Sequence, residues 1–415
     1  MTTARRLAAA GAAALVLVSL TLAAGSSQQL ELGGRRSGAG PDSAQVASFL
    51  DLLERSDPLL CSEVSDALGN VWWGRHPLGI GDLADRPMAP LARRDSLARR
   101  VTDPAALRLA AAHLGDDNAC LRRVAARMLA RSWPATRTAV VAAAGSPAPR
   151  IREAALLVLG IVEDPDTRQL AERLVGDRDP AVRVMATWAV GEYEDARSLP
   201  VLKPLLESSD RRLLASAIWA LGQIEDVKAA PWIAGSLKHA DPEIRLAAAE
   251  ALGEIESRES VDPLIPLVRD RVAAVRRAAV EALGQIEDRR AAAALAGALE
   301  DPEPEVRRAA ADAFGDLDDL DRAPPALIKA LGSDDVELRR AAANALGNIE
   351  DPAALEGLGA RLTDPDLETR RAVVEAIAEI DHPSVSDYLL KALKDSDPEI
   401  RRRAAEGLGE RRGKH

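Results

Sequence analysis

Side chains that commonly perform catalysis or hold metals are scarce in this chain. Five histidines and two cysteines occur among 415 residues. The histidines share no position in the sequence repeat and stand at none of the spacings typical of metal ligands. No G-x-S-x-G nucleophile motif and no local cysteine–histidine signature is present. We therefore expect a protein that is not an enzyme and uses no metal or cofactor; its histidines are His76, His113, His239, His382 and His415.

The two cysteines offer one covalent possibility. In an oxidising compartment Cys61 and Cys120 would form a disulfide that ties the N-terminal region together. Two separate buried thiols are the alternative, and the spacing along the chain does not decide between them. Trp72, Trp73 and His76 present a similar choice. They either form a ligand-binding loop or fold back over an exposed end of the helical core, which the large apolar area of the indoles favours.

Arginine recurs at one position of the repeat, and Leu214 interrupts the column once. Aspartates recur near these arginines, which indicates a ladder of charge-assisted hydrogen bonds between successive repeats. Phosphate binding is the alternative, and the neighbouring acids oppose it. The arginines of this column are Arg152, Arg183, Arg245, Arg276, Arg307, Arg339, Arg370 and Arg401.

The element that must position these side chains is a repeat marked by a glycine eight residues after the arginine. We call this position the marker. Successive markers are 31 residues apart, with a single spacing of 32. A left-handed helix cap would resist alanine because of its Cβ atom, yet Ala378 occupies the marker position. We therefore predict that Gly284 is helical and lets another helix approach closely. The marker residues are Gly160, Gly191, Gly222, Gly253, Gly284, Gly315, Gly347, Ala378 and Gly409.

Each period predicts two helices. Aspartate followed by proline, as at Asp241 and Pro242, starts a helix because the carboxylate accepts the first unpaired amides and proline has no N–H to lose. An apolar stripe at helical spacing runs past the glycine, and a second, shorter helix follows. One such hairpin cannot bury its apolar face alone, whereas stacked copies can. The sequence therefore predicts an all-α fold, an α-solenoid (superhelix) of two-helix repeats of about 31 residues.

The segments "DPEIRLAAAEALGEIES" and "DPEPEVRRAAADAFGDL" resemble the short HEAT-like repeats that also occur in phycobilisome lyases and deoxyhypusine hydroxylase. The resemblance covers residues 148–415, and it implies the solenoid fold and an arginine ladder that joins adjacent repeats. The hydroxylase would require recurring His-Glu pairs in the first helix. Here those columns hold Val184 and Met185, and Ala215 and Ser216, so the iron site is missing.

The N-terminal residues 1–25 have the order typical of a secretory signal: Arg5 and Arg6 precede an apolar run that ends in small residues. The run from Leu7 to Ala24 spans 18 residues, so a retained membrane anchor is the alternative. Residues 26–45, rich in Gly and Ser, predict a flexible linker. We expect an exported, periplasmic or otherwise extracytoplasmic protein that meets a membrane only through this segment.

The remaining chain divides into two regions. Residues 46–147 contain degenerate helical repeats with a Gly- and Pro-rich insertion at about 70–96, and regular repeats fill residues 148–415. Atypical first repeats are expected as caps, because a terminal repeat lacks one neighbour. The net charge of −11 argues against general binding of nucleic acid, which relies on basic patches.

One face of the first helices changes along the chain. Three residues before the glycine, the later repeats carry mostly acids, for which we predict pairing of Arg277 with Glu281 and of Arg371 with Glu375. The earlier repeats carry leucine or tryptophan there. This predicts an apolar patch for a partner or ligand, whereas burial by the insertion or by helix orientation is the alternative. The patch comprises Val184, Trp188, Ala215, Trp219 and Leu246.

Together these features predict a non-enzymatic scaffold of the bacterial cell envelope that binds a protein partner on an extended surface. Two alternatives stay open at this stage. One is an enzyme or accessory lyase-like protein with a site in the N-terminal insertion. The other is a purely structural envelope component.

Overall fold

The computed structural model describes residues 41–54, 100–317, 320 and 322–412. The predicted signal, the insertion at about 70–96, Cys61, and the loop group of Trp72, Trp73 and His76 lie outside these ranges. The chain divides into two compact units; of the described residues, the first holds 41–54 and 100–158 and the second holds 159–412. All regular elements in the described ranges are helical, as the sequence predicts.

The first unit contains the weaker repeats. Its helices begin at capping side chains: Asp103 accepts hydrogen bonds from the amides of Ala105 and Ala106 at 3.0 and 3.3 Å, and Asn118 accepts one from the amide of Cys120 at 2.9 Å. These caps satisfy amides that have no partner within the helix. The helices are α1 Ser43–Glu54, α2 Pro104–Ala112, α3 Ala119–Arg131, α4 Arg137–Ala144 and α5 Pro149–Val162, and the division between the units falls within α5.

The second unit repeats one helical hairpin. Its long first helices pack side by side in chain order, and each is preceded by a short second helix. The first helices are α7 Pro180–Glu192, α9 Arg211–Gln223, α11 Pro242–Glu254, α13 Ala273–Gln285, α15 Pro304–Asp316, α17 Val336–Ile349, α19 Leu367–Glu379 and α21 Pro398–Arg412. The short helices are α6 Arg168–Leu174, α8 Leu199–Leu202, α10 Ala230–Ile233, α12 Val261–Leu264, α14 Ala292–Ala298, α16 Pro325–Ala330, α18 Leu355–Ala360 and α20 Val385–Ala392.

Most of the first helices begin at a capping aspartate, as the sequence predicts, but they end in an unexpected way. At the start of α7, the carboxylate of Asp179 accepts the amides of Ala181 and Val182 at 3.0 and 3.2 Å, with Pro180 in the first turn. After most first helices, a glutamate three residues beyond the marker adopts the left-handed conformation that usually selects glycine or asparagine. These residues, with φ between 48° and 56°, are Glu163, Glu194, Glu225, Glu256, Glu287 and Glu350.

The marker glycine is a close-packing position inside the helix. Gly284 lies within α13, which confirms the prediction that it is helical. A Cβ atom at position 284 would lie 2.8 Å from Ala313 Cβ and 3.0 Å from Ala313 Cα, closer than atoms approach in a packed core. Ala313 belongs to the next first helix, α15, two residues before its own marker. An alanine of the following repeat lies equally close to the markers Gly191, Gly222, Gly253 and Gly347.

The one alanine marker has a compensating neighbour. Ala378 carries a Cβ atom, and the residue opposite it in α21 is Gly407 where the other repeats have alanine. A Cβ atom at position 407 would lie 3.2 Å from Ala378 Cβ. The glycine and the alanine have therefore exchanged sides of this interface, and the close approach of the two helices is preserved.

Gly284→Ala and Gly315→Ala form a matched pair that tests this packing. A Cβ atom at position 315 would meet only ordinary contacts, the nearest at 3.5 Å. We expect Gly315→Ala to raise the free energy of unfolding by up to about 1 kcal/mol, because alanine favours the helix. Gly284→Ala should lower it by about 1–3 kcal/mol, because the overpacked helices must move apart. Urea denaturation followed by circular dichroism measures both, and equal effects would contradict the packing role.

Candidate interaction surface

The predicted arginine column forms a ladder between successive repeats of the second unit. Arg276 donates from Nε and Nη2 to both carboxylate oxygens of Asp301, at 2.7 and 2.8 Å. Its Nη1 donates to the backbone carbonyl of Asp270 at 2.9 Å. One guanidinium therefore joins the loop before its own helix to the loop before the next first helix. The equivalent pairs are Arg245 with Asp270, Arg339 with Asp364, and Arg370 with Asp395.

The other arginines of the column bind their own loop in the same way. In each, Nη1 donates to carbonyl oxygens five and six residues earlier in the chain, at 2.7–3.3 Å. A guanidinium held by backbone carbonyls is a structural group, and this orientation disfavours the phosphate-binding alternative. These arginines are Arg152, Arg183, Arg307 and Arg401.

Most of the predicted apolar patch lies in the core, so the expectation of an exposed patch was wrong for three of its five residues. Val184, Trp188 and Ala215 are 4 %, 1 % and 0 % exposed. Trp219 and Leu246 are half-buried and keep part of their surface accessible. The exposed remainder of the patch is therefore confined to neighbouring helices α9 and α11.

The tryptophan rings pack against the marker glycines of the preceding repeats. The ring of Trp188 lies over Gly160 so closely that a Cβ atom there would be 2.4 Å from Cζ3. Trp219 lies over Gly191, where a Cβ atom would be 2.8 Å from its Cζ3. In the early repeats the glycine thus makes room for an indole, and the large apolar area of the ring is buried. Helical spacing puts each tryptophan on the corresponding face of its own helix, but it does not show the contact with the glycine of the preceding repeat.

The same column faces solvent in the later repeats. Asp312, Asn344, Glu375 and Glu406 are exposed, while Glu281 is half-buried and accepts a hydrogen bond from Arg277 at 3.1 Å. The other predicted pair was wrong. Arg371 binds Glu368 at 2.8 Å and Asp397 at 3.3 Å.

That second contact reaches the next repeat. Asp397 precedes α21 and accepts its first amides, so Arg371 extends the charged contacts between repeats to the helix caps. The arginine is thereby drawn toward the cap and away from the acid that lies one turn along its own helix.

A row of exposed carboxylates, missed by the sequence reasoning, follows the ends of the first helices. We define the carboxylate edge as the six left-handed glutamates given above, all of which are exposed. Within the described part of the chain none of the six forms an ion pair with arginine or lysine. The recurring Glu-Asp dipeptide after the marker was visible in the sequence, but its left-handed backbone was not.

Carboxylates just inside the edge are destabilised in their charged form. Burial, and then repulsion from Glu163 and Glu194, raises the pKa of Glu192 to about 8, although the indole of Trp188 donates a hydrogen bond to it. Desolvation, and then repulsion from Glu225 and Glu256, also raises the pKa of Glu254. Negative charge therefore accumulates beside α7, α9 and α11, where it would be neutralised by a cationic group.

The remaining candidate residues have structural contacts or lie outside the described ranges. His113 contacts Asp116 at 3.2 Å, and the Nδ1 atom of His239 accepts the amide of Asp241 at 3.1 Å. Cys120 is buried and disulfide-bonded. Because Cys61 lies outside the described residues, the pairing of the two cysteines stays a prediction.

Two kinds of feature are absent from the described residues. They contain no group of three His, Cys, Asp or Glu side chains that could hold a metal ion. In the same ranges, no helix combines the length and apolar character needed to span a bilayer.

Comparison with protein families identifies the repeat. A family model described as HEAT repeats matches residues 167–240, 229–315, 297–367 and 355–415, which together cover more than half of the chain. A search of curated proteins found no match.

Solved structures share the architecture at low sequence identity. Importin beta matches with a TM-score of 0.52 and 17 % identity, over 88 % of this chain and 58 % of that chain. An engineered protein matches with a TM-score of 0.50 and 21 % identity, over 73 % of this chain and 98 % of that chain. These two likenesses show the fold alone. The CpcE–CpcF complex of phycocyanin lyase from Nostoc sp. PCC7120 has 25 % identity, over 59 % of this chain and 94 % of that chain, but its TM-score of 0.36 supports no argument.

Asp364→Asn tests the arginine ladder. The Asp364 side chain is 0 % exposed and that of Arg339 is 8 % exposed. Asparagine can still accept the Asp366 amide, which Asp364 binds at 3.0 Å, but it cannot balance the charge of Arg339. We expect the free energy of unfolding to fall by about 3 kcal/mol, because a buried charge loses its partner. The exposed Asp334→Asn serves as control, and similar urea midpoints for both variants would argue against the ladder.

Glu192→Gln tests the buried carboxylate. The folded pKa of about 8 exceeds the ordinary value of 4.5, so between these values the folded state binds more protons than the unfolded state. The free energy of unfolding should therefore fall as pH rises through this range. Glutamine removes this dependence, and the free energy of unfolding of the variant should exceed that of the wild type by a few kcal/mol above pH 8 but not below pH 4.5, at about 1.4 kcal/mol for each unit of the shift. Urea denaturation midpoints measured across pH test this, with a substitution of an exposed glutamate, Glu287→Gln, as control. A difference between Glu192→Gln and the wild type that stays constant with pH would refute the burial effect.

Proposed function

Because the chain belongs to the HEAT repeat family, we propose that it is a non-enzymatic scaffold that binds a protein partner along its first helices. Stacked helical repeats present a long row of side chains that is suited to an extended partner. The importin-like architecture supports this reading at the level of the fold. Function depends on the side chains presented by the fold, and these differ along the chain.

The observation that carries the proposal is the accessible pair on α9 and α11. Trp219 and Leu246 are the members of the predicted patch that keep exposed surface, and their helices pack directly against each other. Tryptophan beside an aliphatic residue is a composition common at the centre of binding interfaces. We place the apolar contact of the partner here.

The charges around this pair define the chemistry of the partner. Glu225 and Glu256 are exposed beyond the ends of α9 and α11, and both repel Glu254, which lies at the end of α11. A partner that carries lysine or arginine beside an apolar side chain would relieve this repulsion and cover the indole. Electrostatic complementarity of this kind speeds association and selects among partners.

We further propose that this scaffold acts in the bacterial cell envelope. The proposal rests on the N-terminal pattern of two arginines, an apolar run and small residues, which is typical of export. Fractionation of cells that produce the full chain tests it. Recovery in the cytoplasm at full length, with no membrane-bound fraction, would refute the location without affecting the proposed surface.

Crosslinking in cells, followed by identification of captured proteins, tests the surface. The double variant Trp219→Ala with Leu246→Ala should lower recovery of the partner about tenfold or more, because truncation of a central aromatic residue commonly costs 2 kcal/mol or more. Val141→Ala with Leu390→Ala is the matched control, since these apolar residues are 40 % and 52 % exposed elsewhere. Capture should also weaken with rising salt. Unchanged recovery in the first variant would reject this surface, and capture of no protein would reject the scaffold.

A further inference from the structure

The ladder of arginine–aspartate pairs is interrupted within the second unit. Two consecutive pairs join α11, α13 and α15, and two more join α17, α19 and α21. Between these runs, Arg307 stands in the arginine column and Ser333 stands in the aspartate column. The described residues contain no carboxylate that pairs with Arg307, whose Nη1 donates to the carbonyls of Asp301 and Pro302 at 2.7 and 2.9 Å.

Ser333 performs only half of the role of the aspartates. Its hydroxyl accepts the amide of Asp335 at 3.2 Å, just as Asp364 accepts that of Asp366 at 3.0 Å. The local turn is therefore preserved. A serine side chain is too short to reach the arginine of the preceding repeat, and it carries no charge to pair with it. The ladder contact between α15 and α17 is therefore lost.

The close approach of the helices is relaxed at the same place. A Cβ atom at position 315 in α15 would lie 3.6 Å from Ala345 Cα in α17, whereas the corresponding separation at positions 191, 222, 253, 284 and 347 is 2.8–3.0 Å. The Asn348 amide donates to the carbonyl of Gly315 at 2.9 Å across this wider gap. The marker spacing also increases here, from 31 to 32 residues.

The ion pairs described across this interface are partly or fully exposed. Arg308 binds Asp335 at 2.9 Å, with the Arg308 side chain 40 % exposed and the Asp335 side chain 12 % exposed, and Lys329 binds Glu300 at 2.9 Å with both side chains more than half exposed. Solvent-exposed pairs contribute little to stability. They permit the helices to shift at small cost.

Other interfaces keep at least one of the two constraints. The α7–α9 and α9–α11 interfaces lack the arginine–aspartate pair of the ladder, because Ser208 and His239 occupy the aspartate column and Leu214 replaces one arginine. Their helices nevertheless approach closely, at Gly191 and at Gly222. The α19–α21 interface has both the Arg370–Asp395 pair and the exchanged alanine and glycine. Among the described first helices from α7 to α21, only α15 and α17 lack both.

We propose that the α15–α17 interface is a hinge, about which the repeats of residues 242–316 and those of residues 336–412 move as two blocks. Within each block, close helix packing and buried charge pairs act together, and such packed segments move as rigid bodies. The hinge alters the spacing between surface side chains on the two blocks. It follows from the interface itself and does not depend on the identity of a partner.

A single substitution restores the missing connection. Ser333→Asp places a carboxylate in the column opposite Arg307, whereas Ser333→Asn has the same shape without the charge. Spin labels carried by unnatural amino acids at the exposed positions Glu259 and Leu390 report the distance between blocks, and labels at Glu259 and Glu305 report a distance within one block. This labelling introduces no cysteine into the chain.

We expect the distance distribution between blocks to be broader than that within a block. Ser333→Asp should narrow it toward the width of the internal pair and slow amide exchange in α15 and α17 by roughly tenfold, as expected for a charge-assisted hydrogen bond. Ser333→Asn should do neither, and adding Arg307→Met to Ser333→Asp should restore the breadth. Equal widths between and within blocks in the native chain, or an unchanged width in Ser333→Asp, would overturn the hinge.

Discussion

At most interfaces, the absence of one methyl group sets the distance between consecutive first helices. The marker glycine accepts an alanine Cβ from the next repeat, and a second Cβ would force the two backbones apart. The exchange of Ala378 and Gly407 shows that the requirement belongs to the interface and not to one residue. Either helix can supply the glycine, provided that the other supplies the alanine.

Polar contacts between loops fix the register in which successive repeats pack. Each guanidinium of the ladder binds the carbonyls of its own loop, and where the next loop supplies an aspartate it binds that carboxylate as well. The contribution of a buried ion pair to stability is often small, because both charges lose their hydration. Its geometry is nevertheless specific, since the planar fork of arginine fits a carboxylate in one orientation. The ladder therefore aligns the loops, while the apolar helices supply the driving force for packing.

Much of this architecture could be predicted from the sequence, because it repeats. The helix starts, the helical marker glycine and the arginine column each followed from one residue type at constant spacing. The surface was harder to predict. Helix periodicity gives the face on which Trp188 lies but not the glycine of the preceding repeat that receives its ring. Likewise, the left-handed glutamates were missed because glycine is the expected residue for that conformation.

The carboxylate edge is unfavourable in three physical respects. A glutamate with positive φ is strained by roughly 1–2 kcal/mol relative to glycine. A negative charge at the C-terminal end of a helix opposes the helix dipole, and neighbouring carboxylates of the edge repel the acids just inside it. Helix capping alone would select glycine or asparagine here. Stability therefore does not explain the recurrence of glutamate, whereas a cationic partner would remove two of the three penalties when it binds. The carboxylate edge is for this reason the surface on which we propose that a cationic partner binds.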